Sequence, residues 1–265
     1  MSLCAYVAGI GVLGPGLPDW PAARAVLRGE TAYVPAATVL PPPAILPPAE
    51  RRRTGRVVKL ALAVALEAAG RAGAEPKSLA CVFSSSGGDG NNCHELCAAL
   101  AAPGREISPT RFSNSVHNAA AGYWSIATGA VGASTVLCAY DASFAAGLLE
   151  ALAQIAADGG ALLLVAYDTD YPEPLRAKRP IPDAFGMALA LTAQRSPASL
   201  ARIEARLGAA ACDRLADGSL EALSTSIPAA RSLPLLSRLA RAEAGPASIE
   251  YLDGSRTLVE VEPCA

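Results

Sequence analysis

Short, uninterrupted apolar stretches alternate along this chain with longer segments whose apolar residues recur every three or four positions. That alternation predicts strands packed between helices. Residues 5–13 are one such stretch, closed by Gly14, Pro15 and Gly16, and read as a buried strand ending in a turn. Residues 19–27 read as a short helix with Asp19 as its N-cap. Residues 31–48 hold Pro41, Pro42, Pro43, Pro47 and Pro48 and read as an extended surface loop. Within 50–72, Val57, Leu60, Ala61, Val64 and Ala68 share one face, so a long core helix is expected, with Arg51, Arg52 and Arg53 as its solvated basic start. Residues 79–85 read as a buried strand, 91–100 as a helix, and 116–127 as a helix capped by Ser115. Residues 134–140 read as a strand, 142–157 as a helix, and 161–167 and 185–192 as strands, the last added at one edge.

The order is therefore β-α-β-α-β-α-β-β, an α/β unit with a mixed, mostly parallel sheet and helices on its faces. After residue 196 the pattern changes to a short α+β extension. Residues 201–207 read as a strand, 230–244 as a helix, and 248–252 with 256–261 as a hairpin about Asp253 and Gly254. The expected organisation is a domain at 1–195, with 196–265 packed on it. No internal repeat is visible.

Composition narrows the function classes. The 265 residues are 52% hydrophobic and 17% charged, with a net charge of −2, so a large core is expected and electrostatic binding of nucleic acid is not. No apolar run reaches the roughly 20 residues of a membrane-spanning helix. The first residues lack the basic start of a signal peptide, and seven scattered Cys fit reduced thiols in a cytoplasmic protein.

Three places carry candidate chemistry. The glycine-rich segment after residue 85 lacks the Lys-Ser/Thr of a phosphate-binding loop and reads as a turn. Cys93, His94 and Cys97 lie close together, but His94 points about 100° away from Cys93 on a helix. No second Cys/His pair completes a metal site, so buried structural thiols are expected there and no metal. The third is the sharp passage from strand to helix at Asp141, the kind of turn where α/β enzymes place a nucleophile. An Asp before a helix is a good N-cap, stabilising by about 1 kcal/mol, and that is the expected role of Asp141. Cys138, three residues earlier, falls on the opposite face of the strand and reads as a buried thiol. His117 reads first as a structural residue and second as a pocket residue.

Residues 105–147 resemble the β-ketoacyl-ACP synthases of the thiolase superfamily, over their N-terminal half. The R-x-I-S-P pattern appears as Arg105, Ile107, Ser108 and Pro109. N-x-x-A-G-x-x-x-I appears as Asn118, Ala121, Gly122 and Ile126, and G-x-x-G-x-S as Gly129, Gly132 and Ser134. The family nucleophile, a Cys, stands seven residues after that Ser, where this chain has Asp141. The family completes its site with two His and a Lys from a second half, and this chain has no His beyond His117. The thiolase fold has two copies of the unit, and only one is visible here.

A ketosynthase-like half without its nucleophile is similar to chain-length factors, and most to the small ketosynthase-like proteins of aryl polyene pathways. The resemblance implies a non-catalytic subunit that pairs with a full-length β-ketoacyl synthase and shapes its acyl tunnel in fatty-acid-like or polyketide biosynthesis. It also implies contact with an acyl carrier protein, allows a homodimer when alone, and calls for no cofactor. By position, Phe112, Ser115, Val116, His117, Tyr123 and Cys138 would face the pocket or tunnel, and Ser134, Val136 and Tyr140 would lie on the strand paired across the dimer. The alternative is a stand-alone malonyl-ACP decarboxylase or acyltransferase using Cys138 or Asp141. A homodimeric carrier-protein or lipid-binding module is a third reading.

Overall fold

The computed structural model describes residues 3–252 and 254–264. In chain order the elements are β1 Leu3–Leu13, α1 Trp20–Leu27, α2 Pro48–Arg51, α3 Arg56–Arg71, β2 Ala80–Ser84, α4 Gly90–Ala101, α5 Pro109–Ser113, α6 Ala119–Thr128 and β3 Ser134–Leu137. There follow α7 Ser143–Asp158, β4 Ala161–Asp168, α8 Leu175–Lys178, β5 Phe185–Thr192, β6 Ala201–Gly208, α9 Gly218–Ser226, α10 Leu233–Arg241, β7 Gly245–Glu250 and β8 Arg256–Pro263. Asp19 caps α1 as expected, its Oδ1 accepting from the Ala22 amide at 2.8 Å. The expected long helix begins late, at Arg56, so Arg51, Arg52 and Arg53 precede it. Asp253, half of the expected hairpin turn, lies outside the described residues.

One eight-stranded sheet runs in the order β3-β2-β4-β5-β1-β6-β8-β7. The sheet is mixed. β1, β2, β3, β4 and β8 point one way, yet only the β2–β3 and β2–β4 pairs are parallel. The reason is that β5 and β6, both reversed, flank β1 on its two sides. Residues 185–192 are thus not an edge strand, as the chain order suggested, but sit between β4 and β1. β6, β8 and β7 continue the same sheet beyond β1.

Each sheet face has its own core. α3 and α6 cover one, where Val64, Ala68, Trp124 and Phe83 are buried. α1, α7, α9, α10 and the 3-10 turn Pro228–Ser232 cover the other, around Phe144, Leu148, Leu164 and Ile203. β4 and β5 are buried on both faces, and their sequences ALLLVAYD and FGMALALT are accordingly almost wholly apolar. β6 alternates, with Ala201, Ile203 and Ala205 inward and Arg202 and Glu204 outward. The outward row carries the Arg202–Glu204 and Arg202–Glu262 ion pairs.

Two glycines of β1 set how closely α3 can lie. A Cβ at Gly9 would stand 2.1 Å from the Ala68 carbonyl oxygen, and one at Gly11 would stand 2.1 Å from that of Val64. The helix backbone rests directly on the strand, which only residues without a side chain permit.

Candidate functional site

The elbow between β3 and α7 is built on local hydrogen bonds. β3 stops at Leu137, three residues before Tyr140, so Tyr140 lies on the turn and not on the strand. Tyr140 has φ 53°, a left-handed conformation uncommon outside glycine. The Ser143 hydroxyl donates to the Tyr140 carbonyl at 2.6 Å and accepts from the Ala139 amide at 3.0 Å. Asp141 does not cap α7: the N-cap is Ala142, and no side chain caps that end. Its carboxylate is taken instead by two guanidiniums. Arg179 donates to Oδ1, and Arg231 donates to Oδ2 at 3.1 Å. Charge-assisted bonds of this kind are about twice as strong as a bond to a neutral amide, which is why the cap is forgone. Arg231 also reaches Glu250 at 2.6 Å, and the Arg179 guanidinium lies 3.8 Å above the Tyr140 ring centre.

Cys138 is exposed and lies beyond the strand, contrary to the buried thiol expected, because β3 ends before it. Its thiol donates to the Ser86 carbonyl at 3.1 Å. Cys93 and Cys97 are also exposed, since α4 buries only Gly90 and Asn92 against the body. Among the described residues no group of three or more His, Cys, Asp or Glu is placed to hold a metal ion. No helix among them is long and apolar enough to cross a membrane.

Asp168 was not singled out by the sequence. It ends β4, is 2% exposed, and sits where three segments meet. Its Oδ1 accepts from the Ser86 amide at 2.8 Å and the Ser86 hydroxyl at 2.6 Å, while Oδ2 accepts from the Ala229 amide at 2.9 Å. Burial pushes its carboxyl up to about 6, against the pull of those donors. The carboxylate ties the loop after β2 to the turn before α10. A carboxylate closing an otherwise apolar strand was the one available signal for it.

The expected tunnel residues divide. Val116 and Tyr123 line a cavity of about 450 Å³, with Arg53, Asn114, Asn118 and Ile126. Tyr123 is 7% exposed, whereas Phe112 and Val116 are 66% and 53% exposed. Ser115 does not cap α6, whose N-cap is Asn118; its hydroxyl donates to the Phe112 carbonyl at 2.8 Å. His117 is half-buried, its Nε2 is buried with no hydrogen-bond partner, and its ring lies against Gly88.

β3, with Ser134 and Val136, is the sheet's edge, so one side of its backbone has no strand neighbour among the described residues. Large exposed apolar side chains are frequent in the segment that leads up to it and just past it. Of the fourteen among the described residues, seven fall within 100–140: Leu100, Ile107, Phe112, Val116, Ile126, Val131 and Tyr140. An open strand edge is a surface that proteins usually cover or blunt.

A mixed sheet covered by helices on both faces, with a strand-to-helix elbow at its edge, defines a ketosynthase-like fold. The sequence model described as β-ketoacyl synthase, N-terminal domain, matches residues 25–243, and the chain belongs to that family. A structure of a ketosynthase in complex with its chain length factor from Xenorhabdus doucetiae superposes with a TM-score of 0.73 at 22% identity, over 97% of this chain and 98% of the matched one. The ishigamide ketosynthase/chain length factor gives 0.74 at 15% identity, over 98% and 99%. A type II polyketide synthase acyl-carrier protein in complex with its hexaketide-bound ketosynthase gives 0.74 at 11% identity, over the full length of both chains. At these identities the likeness establishes the fold. No curated protein matches the sequence.

Proposed function

We propose that this chain is a non-catalytic, chain-length-factor-like subunit that pairs with an active β-ketoacyl synthase and shapes the tunnel for its growing acyl chain. The observation that carries this reading is the state of Asp141. It fills the place of the family's nucleophile, and both its oxygens are engaged by Arg179 and Arg231. A carboxylate so bound is a poor nucleophile, and its acyl product would be a mixed anhydride rather than the thioester that the family's chemistry exchanges. Support for a partner comes from the open edge of β3 and from the seven large apolar side chains exposed within residues 100–140. The neighbouring complexes of unlike chains favour a heterodimer over a second copy of this chain.

On this reading the acyl carrier protein delivers its thioester to the ketosynthase of a type II polyketide or aryl polyene system in the cytoplasm. Phe112, Ser115, Val116, His117 and Tyr123 border the shared tunnel, and residues 196–265 serve as an extension packed on 1–195. The thiol of Cys138, whose proton is engaged by the Ser86 carbonyl, is not the nucleophile.

The test is to express the chain with a full-length β-ketoacyl synthase of a type II polyketide or aryl polyene system, isolate the complex, and record intact-protein masses after incubation with acyl carrier protein thioesters. A one-to-one complex acylated only on the ketosynthase is expected. A stable acyl adduct on Cys138 or Asp141 of this chain would replace the proposal with the stand-alone enzyme reading.

A further inference from the structure

The clamp on Asp141 leaves one side chain in an unusual state. Tyr140 precedes it in a left-handed conformation that an aromatic residue keeps only where its surroundings hold it. Here they do. The Ser143 hydroxyl donates to its carbonyl, and the Arg179 guanidinium carbon lies 3.8 Å from its ring centre. Arg179 is in turn anchored by Asp141, whose other oxygen is anchored by Arg231 and so by Glu250. The guanidinium side chains are only 18% and 16% exposed, yet the Tyr140 residue they support is 61% exposed. An ordinary surface tyrosine is not held this way. Tyr140 also follows the last residue of the open edge strand β3 by three positions.

We infer that Asp141 is a positioning residue: through Arg179 it holds Tyr140 as a rigid anchor for the ketosynthase that docks along β3. The inference rests on the partner reading above. Its physical logic is pre-organisation. An aromatic ring already fixed in its docked pose loses little freedom on binding, and a tyrosine backed by an arginine is the composition found where binding energy concentrates. Asp141 then has a use other than the family's nucleophilic chemistry.

The experiment is a double-mutant cycle on affinity for the full-length β-ketoacyl synthase with which the chain co-purifies, measured by calorimetry well below each variant's unfolding temperature. Tyr140→Ala is expected to weaken the complex by about tenfold or more, as for a central aromatic anchor, and Tyr140→Phe to retain binding. Asp141→Asn is expected to weaken it by about threefold or more, but to add nothing in the Tyr140→Ala background, because it acts through that ring. Arg179→Gln, which leaves the Asp141–Arg231 pair in place, should repeat the pattern and serves if Asp141→Asn does not fold. Additive losses, or full binding by Tyr140→Ala, would overturn the inference while leaving the partner reading intact. A wild-type chain that binds no ketosynthase would remove both.

Discussion

On the proposed reading, Asp141→Cys places the family's kind of nucleophile at the elbow, and the structure predicts a loss rather than a gain. The carboxylate accepts from Arg179 and Arg231, which are themselves largely buried, and a thiol matches neither. Each hydrogen bond to a charged group contributes about 1.5–3 kcal/mol to stability. Two reductions apply. The Asp141 side chain is 32% exposed, so solvent screens part of the pairing. Arg231 also keeps Glu250, leaving Arg179 as the guanidinium without an anionic partner in this cluster. The expected loss for Asp141→Cys is about 2 kcal/mol. For a chain of this size that lowers the urea midpoint by about 0.7–1 M, taking a denaturant slope of about 2–3 kcal/mol/M. Asp141→Asn should lie between the two. The assay is equilibrium urea unfolding of all three proteins, paired with intact mass after incubation with an acyl carrier protein thioester. Acylation of the introduced thiol is not expected, because the chain has no His beyond His117 to supply the family's two imidazoles. A variant as stable as wild type, or one acylated at a useful rate, would refute the reasoning about the clamp.

Three further outcomes follow from named contacts. Gly11→Ala forces a methyl group to within 2.1 Å of the Val64 carbonyl oxygen, so α3 must lift off β1; a loss of about 3 kcal/mol or more is expected in thermal or urea unfolding, against a small effect for the exposed Gly70. Asp168 has its carboxyl raised to about 6, so between the unfolded value near 4 and pH 6 the folded state binds more protons, and this group's contribution to stability falls as pH rises through that window. The fall is on the order of 2–3 kcal/mol, complete above pH 6 and absent in Asp168→Asn, and unfolding curves from pH 4 to 7 would reveal it or its lack. Substituting the exposed Phe112 or Val116 with smaller or larger side chains should shift product length in a reconstituted ketosynthase pair, read by mass spectrometry of the products; an unchanged profile would separate these residues from the tunnel.

Local pattern and long-range placement were not equally legible in the sequence. β4 and β5 could be read because burial on both faces requires a continuous apolar run, and β6 because one open face imposes strict alternation. Strand neighbours are a different matter: nothing within residues 185–192 says that β1 rather than solvent lies along the second edge. The same limit applies to α4. Periodicity put Cys93 and Cys97 on one face of a helix but could not say that this face is uncovered. Asp141 lies at the elbow, yet its partners come from positions 179 and 231, far from it in the chain, so capping was the only role its neighbours suggested. Asp168 was missed for the same reason, since its donors Ser86 and Ala229 are distant in the chain.

The account stands or falls on whether this protein works by joining a ketosynthase. Sedimentation of the chain alone, of a full-length β-ketoacyl synthase of a type II polyketide or aryl polyene system alone, and of their mixture measures that directly. A single species with the mass of one copy of each, lost when Val131 and Tyr140 are replaced by aspartate, is the predicted result. Two species sedimenting independently at micromolar concentration would contradict it.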